Sequence, residues 1–94
     1  MQCVELIDNI VRDRLSATHV EIIDESHLHR GHKAAGGAGH YRLTVVSPKF
    51  EGVNLIDRTR MVYQALDEQI NGQPKLIHAL QIKVFTPQQW QERN

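Results

Sequence analysis

The stretch YRLTVVS, residues 41–47, decides how the rest of the chain is read. Tyr41, Leu43 and Val45 alternate with Arg42 and Thr44, the period-two pattern of a strand with one buried face. Upstream, HVEIID at residues 19–24 points Val20 and Ile22 one way and reads as a shorter strand. The two can pair as an antiparallel hairpin joined by residues 25–40. That connection holds four of the six histidines and four of the six glycines. Its glycines predict a flexible loop.

Downstream, SPKFEGVN is punctuated by Pro48 and Gly52 and reads as a turn. LIDRTRMVYQALDEQI then puts Leu55, Val62, Leu66 and Ile70 on one helical stripe. Asp57 is placed to cap a helix inside it, which predicts a short helical turn and then a longer helix to about Ile70. Asn71-Gly72 is expected to supply the left-handed residue that stops it. HALQIKVF alternates Leu80, Ile82 and Val84 as a third strand. In TPQQWQER, Thr86, Pro87 and Gln89 form a capping box with proline at the first helical position. At the other end, CVELIDNIVRDRL spaces Val4, Ile7, Ile10, Val11 and Leu15 as an amphipathic helix over about residues 2–16.

The order is therefore α-β-β-α-α-β-α. The second and third strands are linked through helix, so they are expected to run parallel by a right-handed crossover. A three-stranded mixed sheet with helices packed on one face buries the apolar stripes. With 94 residues there is room for one modest core, so residues 1–94 are read as a single domain. Eleven basic residues balance eleven acidic ones, which argues against a non-specific nucleic-acid binder. The lone Cys3 falls on the apolar side of the first helix and reads as a small buried hydrophobe. No window is apolar and long enough for a membrane span, and no signal peptide opens the chain. A cytoplasmic protein without membrane contact is expected.

Taken together, several short motifs resemble the BolA family over about Cys3 to Trp90. They are Ile23-Asp24-Glu25-Ser26, His40-Tyr41, Val45-Val46-Ser47, Phe50-Glu51-Gly52, the flanking pair Arg58 and Arg60, Val62-Tyr63, His78-Ala79-Leu80, Thr86-Pro87 and Trp90. The resemblance implies an α+β, class II KH-like fold, which matches the order above. Three positions, in two places, depart from the family pattern. Ala38 and Gly39 stand where an acidic residue and threonine are usual, and Thr59 stands where histidine usually separates the arginines.

Proteins of this family are known as partners of monothiol glutaredoxins. The pair holds a [2Fe–2S] cluster, to which the glutaredoxin contributes a cysteine and bound glutathione a second thiolate. By resemblance the ligands from this chain are His78 and a residue of the loop between the first two strands. The loop has no cysteine, so a histidine is implied. His29, three residues past Ser26, best matches the position, with His32 in reserve. Cluster iron accepts imidazole in place of thiolate, as Rieske centres show. Imidazole protonates near neutral pH, so such a bond is releasable. No cofactor is expected in the isolated chain, which would be a monomer or weak dimer. The bland alternative makes His78 a surface or hydrogen-bonded histidine, and His27, His32 and His40 solvated or packing residues.

Nothing in the sequence supports an enzyme. Asp24 and Glu25 are adjacent on a strand and point to opposite faces, so they read as turn-formers with Ser26. GGAGH joins no strand to a helix and is not a nucleotide fingerprint. DNA is the alternative partner. Bacterial relatives of this family are described as transcription regulators, and Lys49, Arg58 and Arg60 could contact phosphates. No G-x-x-G clamp joins two helices, and few aromatics are available to stack on bases. A third reading is a cluster-free adaptor that docks through Trp90.

Overall fold

The computed structural model describes residues 2–26 and 38–93. Helix α1 (Gln2–Leu15) is followed by strands β1 (His19–Asp24) and β2 (Gly39–Val46). A 3-10 turn (Pro48–Phe50) leads to helices α2 (Leu55–Ala65) and α3 (Asp67–Asn71), strand β3 (Ile77–Phe85) and helix α4 (Pro87–Glu92). The sheet order is β1-β2-β3, with β1 antiparallel and β3 parallel to β2. The predicted order and pairing hold. Most of the connection between β1 and β2, and with it the expected flexible loop, lies outside the described residues.

β2 is central because it carries the most apolar face. Tyr41, Leu43 and Val45 are buried against the helices, and Val20, Ile22, Leu80 and Ile82 flank them in the neighbouring strands. From α1, Ile7, Val11 and Leu15 reach the same core at i, i+4 and i+8, with Val62 and Leu66 arriving from the helices after the turn. Phe50 is fully buried at the centre. α1 carries Glu5 in its first turn and Arg12 and Arg14 in its last, the charge order its dipole favours. It stops where Ser16 takes a positive φ of 52°.

Three expectations about the middle of the chain are corrected. First, the longer helix comes before the short one. Asn54 caps α2 by accepting from the Asp57 N–H at 2.8 Å, while Asp57 accepts in return from the Asn54 amide at 3.1 Å. The break falls at Leu66, which leaves helical geometry (φ −105°, ψ 17°) while staying fully buried. Second, Leu55 is 65% exposed and not on the buried stripe, because the first turn of α2 projects beyond the core that Val62 and Leu66 meet. Third, Gly72 is not left-handed; its φ is −82°. Glycine is needed there for space. Its N–H donates to the Glu68 carbonyl at 2.8 Å, and a Cβ would collide with that oxygen.

The expected capping box is present. Thr86 accepts from Gln89 N–H at 3.1 Å, the Gln89 side chain accepts from Thr86 N–H at 3.0 Å, and Pro87 opens the helix. α4 folds over one end of the sheet. There the Trp90 ring sits 4.9 Å from His19 and 5.2 Å from Phe85, the two residues that flank Val46 in the ladder. The opposite end of the sheet gathers the end of β1, the start of β2 and the start of β3.

Candidate metal-ligating site at the root of the loop

At that opposite end the β2–β3 ladder is irregular. Gly39 lies across from Ile77, but the next residue, His40, lies across from Ala79. His78 is the extra residue of a β-bulge, a feature that re-aims a side chain. The bulge also resolves a parity problem. Ile77 is buried and Leu80 packs against the core, although they are three residues apart and a regular strand would send them to opposite faces. With one residue bulged out, both face inward, and His78 and Ala79 are both exposed.

Among the described residues nothing hydrogen-bonds to the His78 imidazole. Its ring meets one other ring, that of His40, with centroids 5.1 Å apart and planes at 57°. His40 lies on the sheet face turned away from α1 and α2 and is half-buried, with Nε2 shielded from solvent. Its backbone forms the root of the loop. The His40 N–H donates to Ser26 Oγ at 3.1 Å, and its carbonyl accepts from Glu25 N–H at 2.8 Å. Gly39 N–H donates to the Leu76 carbonyl at 3.1 Å. Gly39 has no room for a Cβ, which would lie 2.6 Å from Ser26 Oγ and 2.5 Å from the Tyr41 hydroxyl. The departure from threonine at this position thus lets Ser26 close on the strand.

Asp24 and Ser26 act as the turn-formers they were read to be, with Asp24 Oδ1 accepting from Ser26 N–H at 2.9 Å. Glu25 pairs with Arg42 at 3.0 Å on the outer face. Beneath them the Tyr41 phenol is held well above its ordinary pKa, by burial first, then by a hydrogen bond to Cys3 and the proximity of Cys3 and Asp24. The bond with Ser26 pulls the other way.

Of the predicted ligands, the structure puts His78 on an exposed bulge beside the loop root. His29, and His32 in reserve, lie outside the described residues. His40, set aside as a packing residue, is the one His78 touches. The spacing Ile77-x-x-Leu80 was the available signal for the bulge. No local signal could have paired residues so far apart in sequence.

Lys49 and Arg58 lie toward the other end. Lys49 follows β2 and is exposed, its Nζ 3.5 Å from the Arg14 carbonyl. Arg58 is an internal brace. It donates to the Val53 carbonyl at 2.7 Å and to Gln89 at 2.8 Å, and its guanidinium carbon sits 5.9 Å over the Phe50 ring. Arg60 is 72% exposed beside Asp57 at 3.5 Å. Two positions along a helix separate Arg58 and Arg60 by about 200°. Trp90 packs on the sheet and carries the Arg93 guanidinium 3.4 Å from its ring centroid. Among the described residues no three His, Cys, Asp or Glu side chains converge on a metal position. No described helix is long and apolar enough to cross a membrane.

The architecture defines an α+β protein whose mixed sheet has one helix-covered face and an imidazole pair at one end. The family model for BolA-like proteins matches residues 11–89. Over 94 residues the chain is 31% identical to the DNA-binding transcriptional regulator BolA of Haemophilus influenzae, spanning 100% of this chain and 86% of that one. It is 41% identical over 88 residues to Protein BOLA2 of Arabidopsis thaliana, spanning 92% of this chain and 81% of that one. The solved structure of BolA1 from Arabidopsis thaliana is similar at a TM-score of 0.75 and 31% identity, covering 90% of this chain and 92% of that one. The chain belongs to the BolA-like family. Its relatives carry the names of regulators or BolA-like proteins, not of enzymes.

Proposed function

We propose that this chain is the BolA-like partner of a monothiol glutaredoxin and co-ligates a [2Fe–2S] cluster in iron–sulfur trafficking or iron regulation. The observation that carries the reading is the bulge at His78. It turns an imidazole outward against His40, at the described end of the connection that holds His29 in the sequence. The donor set suits the group, because among the described residues nothing hydrogen-bonds to the His78 nitrogens and imidazole is an accepted ligand to cluster iron. His29 is the second ligand. Three residues span at most about 11 Å, which ties it to Ser26 at the loop root. The cluster supplies two irons that need four terminal ligands. Two imidazoles from this chain leave two positions for the partner's cysteine and glutathione. The protein works in the cytoplasm, where glutathione keeps thiols reduced.

The test is a titration of this protein into a glutaredoxin carrying its [2Fe–2S] cluster, followed by visible absorption and circular dichroism. Wild type changes the spectrum, His78→Ala abolishes the change and His29→Ala reduces it. If both variants behave as wild type, the ligand assignment fails.

Three bacterial relatives are named DNA-binding transcriptional regulators, which supports DNA as a second reading. Lys49 and Arg60 would then carry phosphate contacts, since Arg58 is engaged within the fold. Affinity measured across a salt series decides it. No retardation at low salt, where phosphate contacts are strongest, would eliminate this reading.

A further inference from the structure

We propose that His40 is the positioning residue of His78: its ring is the fixed wall against which the bulged imidazole rests. The two histidines are anchored very differently. His40 is pinned through its backbone to Ser26 and Glu25 and lies in the ladder across from Ala79. Gly39 behind it is boxed in by Ser26 and Tyr41. The direction in which the His40 ring leaves the sheet is therefore set by the strand. His78 has no ladder partner, is exposed, and among the described residues meets one ring, that of His40, at a centroid distance typical of paired aromatic rings. Without that wall, an exposed imidazole on a bulge would sample several rotamers. With it, one orientation is held before any ligand arrives, and binding need not order the side chain.

The contact works through ring packing, so it has a conservative rescue. His40→Phe keeps a ring and removes both nitrogens, whereas His40→Ala removes the wall. The first measurement uses the metal-free protein, with NMR of the His78 ring signals and their relaxation. In His40→Ala the His78 ring signals move toward free-histidine positions and the ring becomes mobile. In His40→Phe they stay ordered. Backbone amide spectra that match wild type establish that the sheet is intact in both. Unchanged His78 signals in His40→Ala overturn the proposal, as does equal disorder in His40→Phe. This readout stands whether or not the protein ligates a cluster. Only the second measurement rests on that function. In the glutaredoxin titration, His40→Ala weakens the mixed complex roughly three- to tenfold, the cost of ordering one side chain, and His40→Phe restores it. Equal weakening by both variants would show that the His40 nitrogens matter and would refute the wall.

Discussion

Deleting His78 should leave the fold standing, although the residue lies within a strand. The ladder pairs Gly39 with Ile77 and His40 with Ala79. Removing the residue between Ile77 and Ala79 makes these consecutive pairs of a regular parallel ladder. Gly39 and His40 already face opposite sides, so Ile77 stays in the core and Ala79 stays out. No buried side chain changes face, and the stability change should be within about 1 kcal/mol in either direction, the worth of one ladder hydrogen bond. Deleting Gln81 is the matched comparison, since it also absorbs the bulge. Counting back from the Ile82–Leu43 pair, it sets Leu80 opposite Arg42, on the outer face, and Ala79 opposite Tyr41, in the core. Leu80 is partly buried, so turning it out costs about 1–2 kcal/mol, and an alanine fills its place poorly.

Urea unfolding of both deletions measures this. With a slope of about 1 kcal/mol/M for a small domain, the Gln81 deletion moves the midpoint down by roughly 1–2 M and the His78 deletion by less than about 1 M. A loss above about 2 kcal/mol on deleting His78 would refute the reasoning, since it would mean that the bulge is a packing requirement. The expected result would mean that the bulge is dispensable for folding and exists for the side chain it presents.

Two further outcomes follow from buried polar groups. Ser47 is fully buried, donates to the Leu15 carbonyl and accepts from Lys49 N–H at 3.0 Å, so Ser47→Ala strands two backbone groups and should cost about 2–4 kcal/mol in urea unfolding; a loss under about 1 kcal/mol would mean that other groups satisfy them. The raised pKa of Tyr41 means that the unfolded chain loses this proton first, near pH 10, so its contribution to stability is intact below that pH and falls above it by about 1.4 kcal/mol per pH unit; Tyr41→Phe should remove that slope in an alkaline unfolding series, and an unchanged slope would reject it.

The fold was legible because its signals are local. Alternation at Tyr41, Leu43 and Val45 needs only neighbouring residues, and the capping box at Thr86 needs only the next three. The errors came where a third body intervenes. Leu66 breaks the helix while staying fully buried, a conflict invisible in a 3.6-residue pattern that runs through it. Gly72 is glycine because of the carbonyl of Glu68, which only the folded turn brings near. Arg58 looked like half of a basic pair, but the Val53 carbonyl and Gln89 engage it. The site follows the same rule. His78 was proposed by resemblance, its bulge was readable in Ile77-x-x-Leu80, and the His40 contact depends on a cross-strand register that no short window contains.

The topology also separates the two functional readings in space. An antiparallel β1–β2 pair and a parallel β2–β3 pair force the end of β1 and the starts of β2 and β3 to the same edge of the sheet. That edge carries the loop root, His40 and His78. Lys49 follows the other end of β2, and α4 with its Arg58–Gln89 bond lies there too. From Gly39 to Val46 the strand rises about 23 Å, at roughly 3.3 Å per residue. Groups that far apart, with no shared partner, contribute additively. Changes at Lys49 should therefore leave the glutaredoxin titration untouched, and changes at His78 should leave any phosphate contact of Lys49 untouched. Cross-talk between the two would require both ligands to use one surface, which the parallel arrangement of β2 and β3 argues against.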